Sequence, residues 1–244
     1  MLIRDHDAFF PPPGNCTIWR YIDFTKFVSL LETQKLFFAR ADQFEDPYEG
    51  TWSSAGVRLL RDPAQNGDLP AQAVEQLITY PKYLQKTMFI SCWHASEHES
   101  AAMWKLYLQS IEGVAIRTDY DTLAEALMET PLSAGISMVQ YIDYENTPIP
   151  FRNLFFPFIH KRLSFSHENE LRAIIWRDDH INKPQIPAGS ASVSVAVSPQ
   201  QLIKAIHVSP AAPRWFGELV EKIAHRYNLQ APVIRSNLYD RPTF

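Results

Sequence analysis

The chain has 244 residues, 46% hydrophobic and 20% charged, with a net charge of −4, which is material for one good core. That charge excludes a general electrostatic grip on nucleic acid or on an anionic membrane. Cys16 and Cys92 alone make neither a disulfide framework nor the paired knuckles of a structural zinc site.

The N-terminal stretch lacks the apolar core of a leader, and no later apolar run approaches the roughly 18 to 20 residues that span a bilayer. The expectation is one cytoplasmic domain over 1–244, with an N-terminal arm at 1–16 that includes the Pro11-Pro12-Pro13-Gly14 spacer.

"TIWRYI" reads as a first strand, and Asp23 stands where it caps a helix carrying Phe24, Phe27, Val28 and Leu31 at helical spacing. "KLFFAR" predicts a second strand running into a turn-rich loop, since Asp46-Pro47 initiates turns and Gly50 permits unusual backbone angles. Residues 62–86 are rich in Pro, Ala and Gln and predict a variable helical insertion around Val74, Leu77 and Ile78.

"KTMFISCW" predicts a buried strand with Ser91 at its end. Ser96 and Glu99 then have the spacing of a capping box that opens a helix through Met103, Trp104 and Tyr107. "GVAIRT" and "SMVQYIDY" predict strands around a short helix in "DTLAEALME". "RAIIW", "SVSVAV", "KAIHVS" and "APVIRS" predict further strands, the last after a helix that starts near Pro213.

These elements predict an α+β single domain with a mixed or split, mostly antiparallel sheet flanked by helices. Eight glycines without a GxGxxG run exclude a dinucleotide-binding fold of that type.

The stretch "SFSHENELRAIIW" carries the densest chemistry. If Glu168 to Trp176 is extended, the two-residue period puts Glu168, Glu170, Arg172 and Ile174 on one face. Charges there are solvated, paired or lining a cleft. The plain reading is an ion-pair ladder with Lys161, Arg162 or Arg20. Arg20, between Trp19 and Tyr21, also suits bidentate contact with phosphate or carboxylate.

Two metal readings compete. "HASEH", His94 to His98, has the H-x-x-E-H pattern of inverted zinc peptidases, but a helix starting at Ser96 leaves His94 outside it. Asp46, Glu49, Glu168 and Glu170 are hard oxygen ligands for magnesium, which would make a nuclease, but the E-x-K lysine of such enzymes is absent. No metal is expected. A non-catalytic ligand sensor or protein-interaction module is the remaining alternative.

The order Trp19-Arg20-Tyr21, Asp46-Pro47-Tyr48-Glu49, Met103-Trp104 with Tyr107, Lys161, and Glu168-Asn169-Glu170-Leu171-Arg172 resembles the bacterial family catalogued as domain of unknown function 2971, across most of the chain. Glu45 stands where that family has asparagine. Arg20, Ser91 and Glu168-Asn169-Glu170 also resemble, in order, the motifs of mono-ADP-ribosyltransferases of the Arg-Ser-Glu type. The middle motif departs from that family's S-T-S, reading Ser91-Cys92-Trp93.

The second resemblance implies an NAD-dependent ADP-ribosyltransferase or NAD glycohydrolase, in a bacterial defence or toxin setting. Glu170 and Glu168 would be catalytic, and Arg20, Tyr21, Ser91, Trp104 and Tyr107 would bind NAD. Asp46, Glu49, Lys161 and Arg172 would form a rim or support. The implied partners are a nucleotide and an unknown acceptor macromolecule, with no membrane and no general nucleic-acid binding.

Overall fold

The computed structural model describes residues 2–3, 6–177 and 185–242; positions 1, 4 and 5 of the expected arm lie outside the described residues. The strands are β1 (Thr17–Asp23), β2 (Lys35–Arg40), β3 (Met88–Ala95), β4 (Gly113–Asp119), β5 (Ala134–Met138), β6 (Gln140–Ile142), β7 (His160–Arg162), β8 (Glu170–Trp176), β9 (Ser192–Ala196), β10 (Ala205–Val208) and β11 (Val233–Arg235). The helices are α1 (Phe24–Thr33), α2 (Ser54–Arg61), α3 (Ala71–Leu84), α4 (Ala101–Tyr107), α5 (Tyr120–Met128), α6 (Phe156–Ile159), α7 (Pro199–Leu202) and α8 (Arg214–Arg226).

Nine strands form one branched sheet with the path β11-β10-β4-β1-β3-β2-β9, and β8 joins β3 to β5 off that path. Every pairing in it is antiparallel except β10 with β11. β6 and β7 make a separate parallel pair. This is the α+β architecture expected from the pattern of short strands and helices.

β3 is the hub. β8 runs along one side of it, from Met88↔Trp176 to His94↔Glu170. On its other side β1 pairs at one end, through Trp19↔His94, and β2 at the other, through Ala39↔Ile90. The sheet therefore splits beside Ser91 to Trp93.

Strand alternation gives the sheet two faces. Ile18, Ile22, Phe38, Phe89, Trp93, Ile116, Leu171 and Ile175 belong to the larger core on the first face, covered by α1, α5 and α8. The second face carries two separate apolar clusters. One contains Phe9, Ile90, Phe156, Phe158, Ile174 and Trp176, and the other Trp19, Tyr21, Met103, Trp104 and Ala115.

Three local expectations are corrected. Asp23 holds the cap position of α1, but its side chain accepts the Gln109 amide N–H instead of capping. Ser100 caps α4 through the Met103 N–H. Ser96 bonds around His98, and the Glu99 carboxylate accepts the Trp104 indole N–H, so no capping box forms at Ser96. "SMVQYIDY" is broken into β5 and β6, which lie in different sheets.

Burial also sets a pH dependence. His160 and His207 lie inside, and desolvation lowers both imidazole pKa values below the usual 6.5. A depressed histidine contributes stability that is full above the unfolded value and lost as pH falls through the folded one. Thermal stability is therefore expected to fall as pH drops through the ordinary histidine range, about 6.5, toward the lower folded-state values. His207→Phe should flatten part of that slope in a melting series, because both ring nitrogens of His207 are buried without a partner among the described residues.

Candidate functional site

A charged strip separates the two apolar clusters of the second face. Arg172 is completely buried. Its guanidinium donates to both oxygens of Glu49, at 2.5 and 2.8 Å, to the Phe158 carbonyl at 2.6 Å and to Glu170 at 3.1 Å. Lys161 reaches Glu170 at 3.4 Å and forms a short ion pair with Glu168. Two cations thus face three carboxyl groups.

The polypeptide reaches this arrangement through two local devices. The 163–168 segment is a 3-10 helix, and β8 begins only at Glu170, so the expected strand from Glu168 is corrected. Asn169 between them adopts a left-handed backbone with φ of 37°, and its amide donates to the Ala95 carbonyl at 2.5 Å. That kink lets Glu168 and Glu170 share Lys161 although they are not on one strand.

Gly50, with φ of 64°, seats the turn that carries Glu49. A Cβ there would lie 2.5 Å from the Phe158 ring, so only glycine brings Glu49 close enough to reach Arg172.

Burial opposes ionisation of Glu170, but Arg172 and Lys161 outweigh it and hold the carboxyl below its usual range. Burial pushes Glu49 up against the pull of Arg172. The Cys92 thiol, opposite Arg172 on β3, is also pushed up, by burial first and then by the charge of Glu170, and stays neutral. The Glu170 amide N–H donates to the Tyr141 hydroxyl at 2.9 Å.

His94, directly opposite Glu170, places Nδ1 2.5 Å from the Glu168 carbonyl. A carbonyl only accepts, so Nδ1 carries the proton.

Aromatic side chains complete the strip. Tyr21 packs edge-on against Trp104 with centroids 4.9 Å apart and lies 6.4 Å from His94. Its hydroxyl accepts the Ser100 amide N–H. Tyr107, on the last turn of α4, is 41% exposed as a residue. Its hydroxyl is nonetheless pushed up strongly, by burial first and then by the negative charges of Glu170 and Glu168.

Of the residues expected to meet, the structure joins Glu168, Glu170, Lys161, Arg172 and Glu49 in one network, with Tyr21, Trp104 and Tyr107 on the same face. Asp46 pairs with Arg162 at 2.9 Å, and Arg162 in turn stacks on Tyr48.

Arg20 and Ser91 are elsewhere. The strands that bear Arg20, Ser91 and Glu170 are neighbours in the order β1-β3-β8, but the pleat divides them. Trp19, His94 and Glu170 form one row on the second face, so Arg20 projects from the first, with Ser91 and Trp93. Ser91 is also interior to β3 and not at its end. The expected convergence of Arg20 with Glu170 is corrected.

Arg20 instead closes the split in the sheet. Its guanidinium donates to the Ser91 hydroxyl at 2.7 Å and to the Phe37 carbonyl on β2 at 3.1 Å, and it lies 5.6 Å from the Trp93 ring centroid. Burial without a carboxylate partner pulls its pKa down to about 10. Arg20→Met is expected to cost about 1.5–3 kcal/mol in denaturant unfolding, the value of a lost charged hydrogen bond. It should leave the chemistry of Glu170 unchanged.

Sequence reasoning missed Tyr141 and Cys92 as neighbours of Glu170, and brought His94 near it only in the zinc reading, where Glu168 or Glu170 would supply a third ligand. The alternation Ser91-Cys92-Trp93-His94 does put Cys92 and His94 on one side, but only the β3–β8 register shows that this side is the one Glu170 occupies. His94 lies in β3 and His98 in a turn. Among the described residues no group of three His, Cys, Asp or Glu could hold a metal.

Cavities of about 370 and 300 Å³ lie beside β9 and beside Trp104; Glu170 lines neither. No helix among the described residues is long and apolar enough to cross a membrane.

No family model and no curated protein matches the chain, so the resemblance to the domain of unknown function 2971 family rests on its motifs. Two solved structures are similar to it. They are DarT of Thermus sp. 2.9 in complex with NAD+, at a TM-score of 0.40, and the same protein with carba-NAD+, at 0.37. Each is 12% identical and is aligned over 93% of this chain, covering 97% and 96% of the respective DarT chains.

Proposed function

We propose that the chain is an NAD-consuming ADP-ribosyltransferase, or an NAD glycohydrolase, whose reacting centre is Glu170. The observation that carries this reading is a carboxylate held ionised between two cations, in a strip where three carboxyl groups face those two cations and aromatic rings stand beside them. With Glu49 ionised against Arg172 the strip has a spare negative charge. Such a site favours cationic groups, and the nicotinamide ring of NAD is one.

As the bond from C1′ of the ribose to nicotinamide breaks, its electron pair leaves with the base and positive charge develops on the sugar. A fixed carboxylate stabilises that charge more than the neutral ground-state ribose, which is the condition for acceleration. Glu170 has this task. Glu168, less enclosed than Glu170, orients or deprotonates the acceptor. Tyr21, Trp104 and the half-exposed Tyr107 flank the cationic nicotinamide. Lys161 and Arg172 position the two acids, and Arg20 and Ser91 have no part.

Incubating the protein with NAD labelled in the nicotinamide ring is expected to release free nicotinamide, and Glu170→Gln to stop the release. Absence of release, with or without protein and nucleic-acid acceptors, overturns the reading. It would leave the alternative of a non-catalytic ligand-sensing domain, which the closed Glu49–Arg172–Glu170 contact favours, since a network that satisfies itself also serves as a scaffold.

A further inference from the structure

β9 ends one arm of the branched sheet, and among the described residues no strand pairs with its outer edge. Val197 donates to the Gln34 carbonyl, so in the β2–β9 ladder the bonded pairs are those of Leu36 with Val195 and Phe38 with Val193. The backbone N–H and C=O groups of Ser192, Ser194 and Ala196 therefore point away from β2. None of them meets a partner among the described residues. A cavity of about 370 Å³ runs along the same strand, lined by Ser192 to Ala196 with Lys35, Leu132 and Pro187.

Sheet edges are normally guarded by charge, proline or a bulge. The strand "SVSVA" has none of these.

We propose that β9 pairs edge to edge with β9 of a second copy of this chain, antiparallel about a two-fold axis at Ser194, so that the two sheets become one. Unsatisfied N–H and C=O groups on an uncharged strand call for another strand, and a copy of β9 is complementary to itself. Ser194 would face Ser194, and Ser192 would face Ala196, all small enough for backbones to approach. Val193 and Val195 of each copy stay in their own cores.

The neighbouring side chains agree. Phe37, directly opposite Ser194 on β2, is 48% exposed. In the paired sheet the two Phe37 rings flank the serines on one face, about 14 Å apart over three strand spacings, and partly cover them. Lys35, opposite Ala196, would fall at diagonal corners of the strip. The two ammonium groups then stand roughly 20 Å apart, beyond the screening length at physiological salt.

The test is sedimentation equilibrium of the full chain over a wide concentration range, with Ser194→Pro and Ser194→Lys as variants. Proline removes only an N–H that the β2 ladder does not use, and lysine sets two like charges beside the axis. The wild type is expected to dimerise and both variants to dimerise at least tenfold more weakly, with unchanged far-ultraviolet circular dichroism. If proline disturbs the fold, the lysine variant decides alone. A wild type that is monomeric throughout, or a lysine variant that dimerises as well as the wild type, overturns the proposal. So does a monomer that takes up an added extended peptide at this edge, since the strand would then belong to another partner.

Discussion

Arg172→Met is expected to destabilise the protein by about 3–5 kcal/mol, a drop in melting temperature on the order of 10 °C for a chain of this size. The size follows from what is left behind. Glu49 and Glu170 have side chains 2% and 4% exposed, and each currently answers to the same guanidinium. Methionine fills most of the volume but supplies no donor, so Glu49 becomes a buried carboxyl with no cation in contact and must protonate or force the turn open. Glu170 still has Lys161. The double variant Arg172→Met/Glu49→Leu should therefore recover much of the loss, because it strands no charge. Equal melting temperatures for Arg172→Met and the wild type would mean the network carries no structural weight.

Glu170→Gln is expected to lower the rate of nicotinamide release by at least about 10²–10³-fold, the scale of removing one electrostatic stabiliser from a transition state. Stability should change far less. Glutamine is isosteric, Arg172 keeps both oxygens of Glu49, and Lys161 keeps Glu168. That contrast separates the roles of the strip: Arg172→Met shows in the melt, Glu170→Gln in turnover with KM little altered. Glu168→Gln should impair transfer to an acceptor more than hydrolysis, since proton removal matters only when the acceptor attacks. A Glu170→Gln protein that releases nicotinamide at the wild-type rate would remove Glu170 from the chemistry.

Much of the fold is legible from local pattern. The period-two apolar runs of β1, β3, β4 and β8 and the helical spacing of α1 and α8 arise from neighbouring residues, and they hold in three dimensions. The division of β8 was also legible, with Glu170, Arg172 and Ile174 on one face and Leu171, Ala173 and Ile175 on the other, because alternation needs no partner strand. The same reasoning offered Lys161, Arg162 or Arg20 as counter-ion, since charges on a buried strand require one; of the three, Lys161 pairs with Glu170, while Arg162 goes to Asp46 and Arg20 to Ser91.

Where the reading failed, a distant contact outbid a local rule. Asp23 gave its oxygen to Gln109, and Glu99 gave its own to Trp104. The start of β8 shifted to Glu170 because Asn169 turned left-handed to bond with Ala95, on a strand far away in sequence.

The sequence by itself determined which residues carry charge, which positions alternate on each strand, and that the strands bearing Arg20, Ser91 and Glu170 are separate elements. Only the tertiary structure decided which sides of those strands look at each other. Registers such as Trp19↔His94 and His94↔Glu170 tie residues dozens of positions apart. With a side-chain period of two, a shift of one residue would exchange Arg20 for Tyr21 beside the carboxylates. That parity is set by the packing of whole faces against their cores, a quantity no short window of residues contains.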